Sequence, residues 1–254
     1  MSEFRLVREY LLSRLGAEGT GDGLSIVESE RRQRCEMSYG YIHMIWIADF
    51  TDGTAIASLP PGISGEIKAF IRDGIESKAD ITDDAFISPL KALADGEAER
   101  LFGQKGSRCF SDLMFACDAE TLAPANPDIT TTRIMDDRFK CCKDIHYPGH
   151  CLPDGIVYAV TAKDKIVSTA YAHRTGEYQD IVADIGVETS KRYRRRGYAR
   201  ACVNAVARHV TASGGESLYK CAPTNVASIH TALSAGYKPY GKSLIFSVAS
   251  EEKK

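Results

Sequence analysis

The sequence predicts an α+β protein, with a mixed β-sheet flanked by helices in its second half and a smaller α+β domain before it. Three observations carry this. Runs with apolar residues at helical spacing alternate with runs rich in β-branched and aromatic residues. The segment Leu122-Ala123-Pro124-Ala125-Asn126, with Pro127 after it, reads as a linker at which the sequence changes character. Near residues 181–210, a β-rich run leads through a basic, glycine-containing loop into a helical pattern. The expected division is residues 1–125 and residues 130–250.

Along the first domain, Phe4, Val7, Leu11 and Leu15 recur at helical spacing. Leu6 and Leu12 widen that face, and Gly16 stops the helix. A glycine-rich connector follows over residues 16–23. Residues 35–57 carry strand patterning through Tyr39, Tyr41, Ile45, Trp46 and Ile47, read as a pair of strands closed by Pro60-Pro61-Gly62. Residues 65–73 are helical through Ile67, Phe70 and Ile71. Ser88-Pro89 supplies a cap and a first position for a second helix reaching about Leu101. Residues 109–117 are a further strand. Arg31, Arg32 and Arg34 read as a solvated face, and no arrangement in this half suggests chemistry.

In the second domain, residues 155–162 and 166–173 are β-rich runs joined by Lys163-Asp164-Lys165, a hairpin signal. Residues 181–189 form a third strand. Residues 197–210 are a helix with Ala199, Cys202, Val203, Val206, Ala207 and Val210 on one face, ended by Gly214-Gly215. A strand over 217–221, a helix over 225–235 and a last strand over 244–248 complete the order.

Composition narrows the function. The 254 residues hold 32 Lys plus Arg against 34 Asp plus Glu, a formal net charge of -2. A chain so balanced has no global basic field to hold nucleic acid, so an anion site must be local. The longest apolar run, Met44-Ile45-Trp46-Ile47-Ala48, is far short of the roughly 20 residues that cross a bilayer. Glu3 and Glu9 interrupt the first residues, which do not read as a secretion signal. With eight cysteines and no such signal, a reducing, cytoplasmic setting is the expectation, without membrane association.

The local anion site is Lys191-Arg192-Tyr193-Arg194-Arg195-Arg196-Gly197-Tyr198-Ala199-Arg200, which places six cations in ten residues between a strand and a helix. The first turn of a helix presents unpaired amides and a partial positive charge. Gly197 lets backbone approach a phosphate without a Cβ in the way, small Ala199 lets the turn pack close, and the arginines add charge-assisted bonds. A nucleic-acid surface would spread its basic residues among aromatics, whereas these are confined to one turn.

Arg194-Arg195-Arg196-Gly197-Tyr198-Ala199 matches the pattern (Gln/Arg)-x-x-Gly-x-(Gly/Ala) and resembles the GNAT superfamily of acyl-CoA N-acyltransferases. Ile185-Gly186-Val187-Glu188-Thr189 stands where the family's fourth strand would, and Asn225-x-x-Ser228 with Gly236-Tyr237 is similar to its later helix and helix end. The resemblance spans residues of about 130–248 and implies a GNAT-like mixed sheet.

It also implies acetyl-CoA as co-substrate, transferred by direct attack to an amine-bearing acceptor, small molecule or protein. By resemblance, Arg194, Arg195, Arg196, Gly197, Tyr198, Ala199 and Arg200 would hold the pyrophosphate. The backbone of Val187, Glu188 and Thr189 would pair with the pantetheine arm where two strands splay apart. Asn225 and Ser228 would line the cofactor channel, or else cap their helix. An ammonium with a pKa of about 10 needs a base to become a nucleophile. Asp184 and Glu188, on one side of the third strand, and His173, at the end of the preceding one, are the candidates; an ordinary exposed strand carboxylate is the other reading of the first two. Many relatives carry a tyrosine four residues before the glycine ending the later helix; here that position is Ala232. His230, Tyr219 or Tyr237 remain as substitutes, Tyr237 also reading as core. The missing hydroxyl keeps an alternative open, a catalytically inactive CoA-binding sensor or regulatory protein.

A second cluster, Cys141-Cys142-Lys143-Asp144-Ile145-His146-Tyr147-Pro148-Gly149-His150-Cys151, offers side chains that zinc accepts in type. It lacks a Cys-x-x-Cys knuckle, and adjacent cysteines cannot easily turn both sulfurs to one ion, so no metal is expected. Buried cysteines and a turn at Pro148-Gly149 fit better.

Overall fold

Two chain reversals show how local chemistry sets the fold. Lys163 and Asp164 both adopt left-handed backbone, with φ of 51° and 59°, the conformation that a two-residue hairpin turn requires. Gly16 does the same at φ 71° and ends the first helix.

The computed structural model describes residues 4–19, 21–36, 40–136, 139–146, 155–173 and 182–250. Its elements are, in order, α1 (Arg5–Leu15), β1 (Leu24–Glu28), β2 (Cys35–Glu36), β3 (Tyr41–Phe50), β4 (Ala55–Leu59), α2 (Gly65–Glu76), α3 (Asp84–Phe102) and β5 (Arg108–Cys117). There follow β6 (Thr132–Arg133), β7 (Lys140–Cys141), β8 (Ile156–Ala162), β9 (Lys165–His173), β10 (Val182–Thr189), α4 (Tyr198–Thr211), β11 (Glu216–Cys221), α5 (Val226–Ala235) and β12 (Lys238–Ala249). Parallel and antiparallel pairs both occur, and the fold is α+β with a mixed sheet and flanking helices, as the sequence predicts. Among the described residues no helix is long and apolar enough to cross a membrane.

The chain divides into two compact units, residues 11–114 with 240–254, and residues 1–10 with 115–239. In the first, β4 pairs in parallel with β1 and antiparallel with β3, and β12 lies antiparallel on the other side of β3. The sequence predicts a strand only over 244–248; the observed strand is more than twice as long because polar positions such as Lys242 and Ser243 still pair with Asp49 and Ala48. Ile67, Ile71, Phe86, Leu90 and Ala94 of α2 and α3 share one core with Ile45, Ile47, Leu59, Leu244 and Phe246. The second helix starts four residues before Ser88: the Asp83 side chain accepts the Ala85 amide and caps it, so Pro89 lies inside α3.

Arg32 corrects the reading of a solvated face. It is 0% exposed. Its Nη1 donates to the His43 carbonyl (3.1 Å), its Nη2 donates to the Arg14 carbonyl (2.7 Å), and its guanidinium stands 5.4 Å from the centre of the Trp46 ring. A rigid fork of donors suits two carbonyls from different segments.

In the other unit the strands run β11-β10-β9-β8-β6, with β7 also against β9. On one face, Val157, Ala159 and Ile166 pack with Ile134 and Ile145. On the other, α4 buries the apolar stripe read from the sequence, including Cys202, Val203, Val206, Ala207 and Val210. Cys202 Sγ reaches the Ser168 carbonyl of β9.

Candidate cofactor site at the basic loop

β10 and β11 run parallel, but their register lasts only from Val182 opposite Glu216 to Asp184 opposite Leu218. β10 continues to Thr189 and β11 to Cys221, so beyond Asp184 the two strands part. Backbone groups alternate along a strand, and Ser190 N–H donates to the Val167 carbonyl on the β9 side. By that alternation Asp184, Gly186 and Glu188 turn their backbone groups to β9, while Ile185, Val187 and Thr189 turn theirs to the opened edge. Of the three residues expected to offer backbone to a pantetheine arm, Val187 and Thr189 thus face the gap, and Glu188 faces β9. The Thr189 carbonyl already accepts Arg194 Nε at 3.2 Å.

The basic loop follows at once. Lys191–Tyr193 form a turn of 3-10 helix, and Arg195 and Gly197 both take left-handed backbone, at φ 60° and 78°. Gly197 is the N-cap of α4 and offers no side chain to the helix. Ala201 N–H donates to the Gly197 carbonyl at 3.0 Å. Among the described residues the amides of Tyr198, Ala199 and Arg200 ahead of it find no backbone acceptor, as a first helical turn requires. Arg194, Arg195 and Arg196 are exposed and Arg200 is half-buried. The Arg196 guanidinium stands 5.4 Å from the Tyr193 ring centre.

Two supports of this loop carry no sequence signal. The Asp144 carboxylate accepts the Lys191 amide at 2.8 Å, and that bond, with one from the Ser190 hydroxyl, holds its pKa below the usual carboxylate range. Ile129 lies under Gly197, with Cδ1 3.3 Å from where a Cβ would stand.

The candidate bases are placed as follows. Asp184 and Glu188 share the face of β10 on which Tyr171 of β9 crosses Gly186, its ring occupying the space a Gly186 side chain would need. Asp184 pairs with Lys220 Nζ at 2.8 Å. Glu188 Oε2 accepts the His146 amide at 2.6 Å. His173 is the register partner of Asp184 at the end of β9.

Asn225 caps α5, its Oδ1 accepting the Ser228 amide at 3.2 Å. The Ser228 hydroxyl meets the Tyr219 hydroxyl at 2.7 Å. Tyr219 is the first residue of β11 beyond the parting, and burial pushes its phenol up to about 12. Tyr237 is buried and donates to Ser217 Oγ at 2.8 Å, a core position. His230 is exposed, and Ala232 is buried. In the cysteine-histidine cluster, residues 147–151 lie outside the described residues. Among the described residues no group of three His, Cys, Asp or Glu side chains could hold a metal.

Residues 122–237 match the family model described as Acetyltransferase (GNAT) family. Among curated proteins none matches. Among solved structures, a GNAT-family protein from Novosphingobium aromaticivorans is 18% identical at a TM-score of 0.44, over 56% of this chain and 66% of that one. An acetyltransferase from the GNAT family of Colwellia psychrerythraea is 13% identical at a TM-score of 0.48, over 97% of both chains. A GCN5-related N-acetyltransferase-like protein from Streptococcus suis is 16% identical at 0.41, over 62% and 69%. The strand, the arginine-rich turn and the glycine-capped helix all lie inside the matched segment, and residues 122–237 of this chain form a GNAT-family segment.

Proposed function

We propose that the C-terminal unit takes acetyl-CoA as co-substrate and moves the acetyl group to an amine acceptor by direct attack. The junction of β10 and α4 carries this reading. Among the described residues, three amides without a backbone acceptor stand among four arginines, and the open backbone edge at Val187 and Thr189 lies directly upstream. A diphosphate suits the first feature and an amide-bearing arm suits the second.

The chemistry follows from the same residues. Asp184, Glu188 and His173 are the candidates to take a proton from the ammonium, directly or through water. Attack on the thioester carbon moves charge onto its oxygen, which the Val187 N–H at the open edge would stabilise. Expulsion of the thiolate calls for a donor. A phenol held near 12 keeps its proton against a thiol of about 8.5, so Tyr219, paired with Ser228, would stabilise the thiolate by a hydrogen bond while water supplies the proton.

A second reading has its own support. Ala232 offers no hydroxyl, and both β10 carboxylates already hold partners, Lys220 and the His146 amide. A CoA-binding sensor needs the cradle and none of the proton transfers. Incubating the protein with acetyl-CoA and a panel of amines while following release of free thiol separates the two. Turnover supports the transferase, CoA binding without turnover supports the sensor, and no heat of CoA binding in calorimetry overturns both.

A further inference from the structure

α4 has a second face that the cofactor site does not use. Asn204, Arg208 and His209 stand on it at helical spacing, opposite Asn126 and Ile129 of the segment that crosses the helix, with Tyr158 of β8 at the side. Ala201 and Ala205 of α4, with Ala212 at its C-cap, leave beside them a cavity of about 340 Å³, at the lower end of the range that small-molecule sites occupy.

The walls select a ligand. Among the described residues no aspartate or glutamate lines the cavity, while a guanidinium, an imidazole, amides and hydroxyls do. Arg208 is held in place: its Nη2 donates to Asn204 Oδ1 at 3.3 Å, and Asn204, 3% exposed, is itself fixed by donating Nδ2 to the Ala123 carbonyl at 2.6 Å. Among the described residues Nε and Nη1 of Arg208 have no partner. His209 Nδ1 lies 3.3 Å from the Tyr158 hydroxyl, which orients that ring pair at the rim. The alanine and isoleucine surface between these groups is apolar. A fixed cation beside a small apolar hollow fits an organic anion with a compact hydrophobic body.

We propose that this cavity is a second ligand site, for a small aryl or alkyl carboxylate or phosphate monoester, separate from the phosphate cradle at Gly197. Phenyl phosphate is the probe. It is titrated by calorimetry into the full chain presaturated with CoA, so that the basic loop is occupied. Saturable one-site binding is expected, weakened about tenfold or more by Arg208→Ala, the value of one lost charge-assisted bond. Ala205→Leu, which fills the hollow from a half-buried position, should abolish binding while circular dichroism stays unchanged. Inorganic phosphate, lacking the apolar body, should bind at least about tenfold more weakly. Absence of phenyl phosphate binding, or binding that survives both substitutions unchanged, overturns the proposal.

Discussion

Gly197 and Gly236 adopt the same left-handed backbone for different reasons. Gly197, at φ 78°, has open space around it apart from Ile129, so its value lies in what can approach it. Gly236, at φ 102°, is pressed against the Thr121 carbonyl and the Ala123 amide. Gly197→Val should therefore cost on the order of 1–2 kcal/mol of backbone strain, yet weaken CoA binding by about tenfold or more in calorimetry. Gly236→Ala should cost more than about 2 kcal/mol in urea unfolding, because backbone rather than a flexible side chain must move. Tyr219 gives a pH signature. Its phenol is raised from about 10 in the unfolded chain to about 12, so its contribution to stability is complete below pH 10 and is lost as pH climbs through 12. In Tyr219→Phe the part of the alkaline stability loss between those values that belongs to this group should vanish in melts recorded across that range.

Elements differ in how far they could be read in advance. The β8–β9 hairpin, α4 and the glycine turn that opens it are legible because their determinants are neighbours in sequence: Lys163-Asp164 at a turn, an apolar stripe at helical spacing, and glycine ahead of it. What stayed hidden depends on distant partners. Asp144 meets Lys191 across 47 positions, and nothing at either residue announces the other. Arg32 shares a cluster with two other arginines in sequence, yet only its own fork finds two carbonyls and a tryptophan ring in the folded chain. α3 starts earlier than the sequence predicts because Ser88-Pro89 imitates a cap, while Asp83 performs the capping. Arg32→Ala should cost about 2–4 kcal/mol in urea unfolding, through orphaned carbonyls and lost packing. Arg32→Lys should restore little of it, since an ammonium cannot reproduce the planar fork.

At the scale of the whole molecule, charge is arranged rather than abundant. A chain of net charge -2 concentrates six cations in ten residues beside the open strand edge. CoA binding should consequently weaken as salt is raised, because exposed arginines are screened within about 10 Å at 0.1 M ionic strength. Calorimetry at two salt concentrations checks this. The opening between β10 and β11 and the loop after it follow from a short stretch of sequence, whereas the partners of Asp184 and Glu188 do not, since Lys220 and His146 reach them from separate stretches.

The route of β12 has a consequence for biosynthesis. Residues 240–249 lie along β3, and Leu244, Phe246 and Val248 complete the core built by residues 44–98. Residues 44–98 must therefore wait for residues 240–249 to be made before their hydrophobic interior can close. Loop closure over such a separation is slow, and the waiting surface invites chaperones or aggregation.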